Sequence, residues 1–368
     1  MLILYIIHIL RIHSALSNAL AHSSLYHLAC DSEFVINVCV GKETNCLPFK
    51  LSTSFEETFV LDGDVYAKGY KYKESPTFKN MLSGLGRKYN DEYITGRYAK
   101  DDFYIQHTDI VVKGLQFIIV EKGIDLSNTN YIGVIGIGNE YAYSYKDSGF
   151  FQKLFLTITN GKRRNLSLMR NGLLIGTDVS AITRLSTGKV MKRCSIVNDR
   201  SDSKNVIACQ IDSSFIYNEK YKYVEYKSGK EKIKFSYDSD DMYVPRHVYE
   251  NIKNLLFPFE GRDECRESVT RGGQHKIKCD FDRDDYTVKN EIYYNLSQRK
   301  LFLFINNFTV SFALDELFDW KATYFRALYH ENDDNWVLGR HFLDKHMLTI
   351  DKSDNCIYIT TNSNLNNI

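Results

Sequence analysis

Two short stretches hold the residue types from which a hydrolytic site could be assembled. The first runs Ser52-Thr53-Ser54 and is followed by Asp62-Gly63-Asp64; the second runs Ser236-Tyr237-Asp238-Ser239-Asp240. Two carboxylates that share one proton can divide the work of peptide hydrolysis, one activating a water and the other protonating the carbonyl oxygen. Asp62 and Asp238 could supply such a pair. The serines could not, because a hydroxyl neither ionises near neutral pH nor takes up a proton to become a useful acid. A Ser–His nucleophile needs an imidazole held beside the hydroxyl, and the 10 His are scattered. His247, His341 and His346 read as solvated or core-satisfied. No Cys-x-x-Cys occurs, so neither a metal nor any cofactor is expected.

The elements that must position these residues read as strands. Short apolar runs recur at 34–40, 59–61, 103–112, 116–120 and 131–137, then at 206–211, 232–235, 300–305 and 347–350. Gly, Asn, Asp and Ser separate them, and 26 Tyr and 22 Phe favour a pleated surface, so an all-β protein is expected. One helix is predicted over Pro245–Leu256, where Val248, Ile252 and Leu255 follow a proline start at helical spacing. A chain of 368 residues accommodates two domains. Tyr131-Ile132-Gly133 and Val337-Leu338-Gly339 each place two apolar residues before a glycine, after comparable stretches of each half, which suggests an internal duplication.

The 47 basic and 46 acidic residues leave a net charge of +1, which provides no electrostatic footprint for nucleic acid or an anionic membrane. The apolar start at 1–10 and Ala19-x-Ala21 predict a signal peptide over 1–21. No segment is long enough to span a bilayer, so the mature chain is expected to be secreted or lumenal, and monomeric. Eight cysteines in that setting imply four bridges. Cys265 and Cys279 enclose a polar, Gly-containing loop, Cys194 and Cys209 flank another, and Cys39 and Cys46 sit either side of Gly41. Cys30 and Cys356 would then tie one end of the chain to the other. Asn165, Asn295 and Asn307 fit the glycosylation pattern.

Asn335 to Asp351 resembles the penultimate block of pepsin-like aspartic proteases, and the resemblance extends over roughly residues 31 to 359. Val38-Cys39-Val40-Gly41 is similar to that family's first strand entering its turn. Counting back seven from Phe59 puts Ser52 where the family carries its first catalytic Asp, and Ser54 where it carries Gly. Tyr72 to Thr77 resembles the segment after that loop, Tyr93-Ile94-Thr95-Gly96 the flap hairpin, and Thr108 to Val111 the strand leading away. Gly172 to Asp178 resembles the close of the first lobe. Nine residues before Pro245 stands Ser236, again in place of an Asp, with Asp238 in place of Gly and Arg340 in place of the Asp after Leu338-Gly339.

The resemblance implies an all-β, bilobal pepsin-like double barrel with a few short helices and a central cleft, an N-terminal lobe over 22–190 and a C-terminal lobe over 191–368. With Ser52 and Ser236 at both catalytic places, it implies a pseudoprotease that holds an extended peptide or partner protein. Thr53, Tyr93, Gly96, Tyr237, Asp238 and Arg340 are the cleft and flap residues it points to. About a dozen residues separate Ala21 from the first strand, too few for the prosegment that active relatives carry. The alternative is an active endopeptidase with a displaced dyad. An Arg340–Asp238 ion pair is further expected to anchor the cleft floor.

Overall fold

The computed structural model describes residues 26–361 except 31–33, 54, 56, 90–91, 107, 125, 127–128, 138–148, 160–164, 170–171, 177–191, 196–207, 230, 237, 257–264, 271–272, 280–285, 306–307, 332–333, 352–353 and 355. The signal segment 1–21, Ser54, Tyr237 and Asn307 therefore lie outside the described residues.

The first strands are β1 (Tyr26–Ala29), β2 (Val35–Val40), β3 (Cys46–Ser52), β4 (Thr58–Leu61), β5 (Lys79–Tyr89), β6 (Glu92–Ile105), β7 (Val111–Lys122) and β8 (Gly133–Gly136). Helix α1 (Phe150–Thr159) and strands β9 (Asn165–Met169), β10 (Gly172–Ile175) and β11 (Lys192–Ser195) follow. Seven of them form one sheet, in the order β2-β3-β8-β4-β7-β6-β5. Cys39 and Cys46 face each other across the β2–β3 hairpin and are bridged. The turn between them needs Gly41, whose φ is +74° and where a Cβ would lie 2.2 Å from Ser75 Oγ. Thr108 and Ile110 lie in the turn that joins β6 to β7, closed by Ile105 N–H donating to the Ile110 carbonyl at 3.1 Å, not in a strand as expected.

The second group comprises β12 (Ala208–Ile211), β13 (Ser213–Asn218), β14 (Tyr223–Lys227), β15 (Glu231–Phe235), β16 (Met242–Tyr243), helix α2 (Arg246–Leu256), β17 (Cys265–Val269), β18 (Gln274–Cys279) and helix α3 (Tyr286–Ser297). It continues with β19 (Arg299–Ile305), β20 (Phe308–Ala313), β21 (Phe318–Asp319), β22 (Tyr324–Phe325), β23 (Ala327–His330) and β24 (Trp336–Leu338). One sheet orders them β12-β15-β24-β16-β23-β18-β22-β21, with β17 on β18, and a second orders them β14-β13-β19-β20. The chain ends with β25 (His346–Asp351) and β26 (Cys356–Thr361), in the sheet β1-β10-β9-β25-β26-β11.

The suspected duplication is present in the strand pairing. In the first half β3 runs parallel to β8, β8 antiparallel to β4, and β4 parallel to β7. In the second, β15 runs parallel to β24, β24 antiparallel to β16, and β16 parallel to β23.

The chain forms two compact units, one containing Met1–Arg193 and Leu343–Ile368 and the other Ala208–Phe342. The last strands return to the first unit because β25 pairs with β9, with Thr349 and Ser167 sharing a buried hydroxyl hydrogen bond of 2.8 Å. No helix among the described residues is long and apolar enough to cross a membrane.

Two of the four expected bridges are formed, Cys39–Cys46 and Cys265–Cys279, each between residues paired across a hairpin. The other two are not. Cys194 and Cys209 are buried thiols joined by a hydrogen bond, and burial pushes the Cys209 thiol up. Cys356 is a buried thiol that accepts from Arg193 Nε at 2.8 Å and donates to the Asp354 carbonyl, so it does not join Cys30. Asn165 is buried in β9, which leaves its glycosylation triplet no access. Replacing Cys265 and Cys279 by Ala opens a loop between residues 14 apart and is expected to lower stability by about 3 kcal/mol, read from denaturant midpoints.

Candidate functional site

Ser52 is the last residue of β3, in register with Gly136 of the parallel strand β8. Ile137 N–H donates to its carbonyl at 2.6 Å, and Gly136 N–H donates to the Glu57 carbonyl at 3.1 Å. The chain thus leaves the sheet at Ser52 and returns as β4 beside the same strand. Gly133 allows this close approach, since a Cβ there would lie 2.6 Å from the Phe59 carbonyl oxygen. Ser52 and Thr53 are fully buried. Phe55 packs edge-on against Phe59 at 5.6 Å and closes an apolar cluster with Ile94, Ile118 and Val120.

Ser236 follows β15 in the equivalent place, with its N–H donating to the Leu338 carbonyl of β24 at 2.9 Å. Its hydroxyl is used locally: Asp238 N–H donates to Ser236 Oγ at 3.4 Å, and Asp241 N–H to Ser239 Oγ at 3.1 Å. Such hydroxyl-closed turns hold a loop without calling on a carboxylate. Gly339 is required where it stands, because a Cβ would lie 2.2 Å from the Asp241 carbonyl oxygen. Arg340, expected to meet Asp238, meets Asp240. The Arg340 backbone N–H donates to the Ser239 carbonyl at 2.9 Å, and its side-chain Nε meets Asp240 Oδ1 at 2.8 Å in an ion-pair contact without hydrogen-bond alignment. Beside it, burial raises the Asp241 carboxyl while Tyr324, donating at 2.9 Å, opposes that shift; the Tyr324 hydroxyl is pushed up to about 12.

The expected flap is the hairpin of β5 and β6, in which Tyr89 pairs with Glu92 and Lys88 with Tyr93. Tyr93 is 65% exposed, and its hydroxyl lies over Gly86 of the facing strand. Gly96 pairs with Leu85 across this hairpin and is buried against β7, where a Cβ would collide with the Ile119 carbonyl oxygen. Sequence reasoning missed what ties this hairpin to the first loop. Glu57 accepts from Arg87 Nε at 2.8 Å and from Tyr98 Oη, while Arg87 donates to Tyr98 Oη at 2.7 Å. The only available signal was Glu57 itself, an acidic residue five positions beyond Ser52.

The rival groups have structural employment. Asp62 is buried, pairs with Arg97 at 2.9 Å and accepts the Asp64 N–H at 2.8 Å, within a turn closed by Gly63 N–H to the Tyr70 carbonyl. Ser228, His247 and Glu231 meet, but one imidazole nitrogen, Nε2, faces both Ser228 Oγ at 3.2 Å and Glu231 at 2.8 Å. Ser228 also donates directly to Glu231. A relay needs the acid on the nitrogen opposite the hydroxyl, so this trio does not build a nucleophile. Burial lowers His346 to about 4, keeping it neutral. No group of three or more His, Cys, Asp or Glu among the described residues is arranged to hold a metal.

His275 stands between Glu267 at 2.7 Å and Glu331 at 3.0 Å. Burial of the ring opposes protonation, but hydrogen bonds to Glu331 and Glu267 outweigh it and raise the imidazole. A raised folded value means the stabilisation is complete below the ordinary value of about 6.5 and fades as pH rises through the folded value. Denaturant midpoints are expected to fall over that window, and His275→Gln to flatten the fall. An unchanged pH slope in the variant counts against this assignment.

No family model and no curated protein sequence matches this chain. Among solved structures it is similar to the aspartic proteinase from Irpex lacteus, with a TM-score of 0.65 at 13% sequence identity, covering 92% of this chain and 98% of the other. The all-β, pepsin-like fold is thereby established, and at that identity the likeness extends to the fold alone.

Proposed function

We propose that this chain is a pepsin-like scaffold without the carboxylate dyad, which holds an extended peptide or a partner segment and does not cut it. The observation that carries the reading is the pairing of Ser52 and Ser236 at equivalent places: each stands where a strand leaves the sheet beside a parallel partner. Neither hydroxyl can share a proton as a carboxylate pair does. Ser52 is buried, and Ser236 accepts a loop amide. The displaced-dyad alternative would need Asp62, whose carboxylate is committed to Arg97. Secretion or residence in the secretory lumen is part of the proposal, supported by two disulfides and the N-terminal apolar run.

Binding is tested by calorimetry of the full chain against apolar octapeptides, with mass spectrometry of the recovered peptide. Saturable binding with intact peptide is expected. Cleavage products would overturn the reading, and so would the absence of binding across the peptide set.

A further inference from the structure

Half of the large exposed apolar side chains among the described residues fall within two short stretches of the second unit. Of the ten, Tyr221, Tyr223, Val224, Tyr293 and Tyr294 belong to β14, the turn before it and α3. Lys220 draws Tyr221 and Tyr294 into one patch: its Nζ lies 5.0 Å from the Tyr221 ring and 5.1 Å from the Tyr294 ring, and donates to Tyr294 Oη at 2.7 Å. Tyr221 and Tyr223 are 6.3 Å apart. A concentration of exposed aromatic surface of this kind marks an interaction site.

The patch borders an open sheet edge. β14 pairs with β13 alone, so along its other side the backbone has no strand partner among the described residues. Open edges accept a further strand, with main-chain hydrogen bonds giving affinity and alternate side chains giving selectivity. Charge narrows the occupant. The two glutamates here are neutralised, Glu219 by Lys300 at 2.6 Å and Glu225 by Arg299 at 2.8 Å. Lys220, Lys222 and Lys227 are exposed and make no ion pair with any described residue. Two copies of this face meeting about a two-fold axis would set these lysines against each other.

We infer that β14 and its tyrosine–lysine border form a second binding surface, separate from the inherited site, which takes an acidic, extended segment of another protein as an added strand. Tyr221 and Tyr294 flank the incoming chain and Lys220 and Lys222 meet its carboxylates.

The test is fluorescence anisotropy of the full chain with a dye-labelled octapeptide alternating glutamate and valine, and with its lysine–valine counterpart. The acidic peptide is expected to bind with an affinity that falls as salt rises, and the basic one not to bind. Lys220→Glu combined with Lys222→Glu, and separately Tyr294→Ala, should each weaken it about tenfold or more, with thermal midpoints unchanged because these side chains are exposed. Backbone amides of Tyr223–Lys227 should exchange more slowly in the complex. No binding of the acidic peptide, equal binding of both peptides, or full affinity in these variants would overturn the inference. Self-association of the wild type that the charge reversal abolishes would assign the surface to a second copy, and also overturn it.

Discussion

Unfolded polypeptide incubated with this protein between about pH 3 and about pH 7 is expected to stay intact. Removing the acting groups of a hydrolase lowers kcat on the order of 10⁶-fold, so the rate should be indistinguishable from buffer. Two features of the loops give this expectation its force. The first site position holds a buried serine and the second a serine whose oxygen closes its own turn. The carboxylate of Asp240, which could approach the second loop, faces Arg340. Ser52→Ala and Ser236→Ala should therefore leave the absence of cleavage unaltered. Asp62→Ala should also leave it unaltered, while lowering stability by roughly 1–3 kcal/mol, because Arg97 keeps Glu121 but loses its buried partner. Cleavage that a statine-type inhibitor blocks, or that Asp62→Ala abolishes, would restore the displaced-dyad reading.

The sequence was most legible where apolar periodicity and a turn residue agree. The stretches 35–40, 59–61, 232–235 and 347–350 are strands, and the run after Pro245 is helical over Arg246–Leu256. Legibility failed where strands are long and polar. Lys79–Tyr89 and Glu92–Ile105 carry eight Lys, Arg, Asp and Glu before the last few residues of β6, because β5 is a sheet edge and one face of β6 stays accessible while the other buries Ile94, Ala99 and Phe103. It failed too for Phe150–Thr159, an apolar stretch that could equally have been a strand; its Phe150, Phe151, Leu154 and Phe155 are buried at helical spacing. The parallel pairing of β3 with β8 and of β15 with β24 was not legible, since contacts so distant in sequence leave no local periodicity. The contact of Arg340 with Asp240 was illegible for the same reason: neighbours in an aligned motif are not neighbours in space until the turn is closed.

The stability of the second unit is expected to hinge on Trp336. It begins β24, pairs with Ile233 of β15, and is the largest of the fully buried side chains. Its indole N–H donates to Glu231, a carboxylate that also accepts from Ser228 and meets His247 at 2.8 Å. Trp336→Ala should cost about 3–5 kcal/mol from the cavity alone, because strands tied to β24 on both sides cannot collapse into the space. Loss of the indole donor adds to this, though Ser228 and His247 keep Glu231 partly satisfied. Trp336→Phe separates the contributions, since it retains most of the apolar bulk and removes only the donor, at roughly 1–3 kcal/mol. Glu231→Gln keeps an acceptor for the indole and should fall closer to the wild type than either. Denaturation followed by the near-UV signal resolves the ranking Ala, then Phe, then Gln. An Ala variant within about 1 kcal/mol of the wild type, at the level of an ordinary surface change, would mean that the β15–β24 pair does not hold the second loop in place.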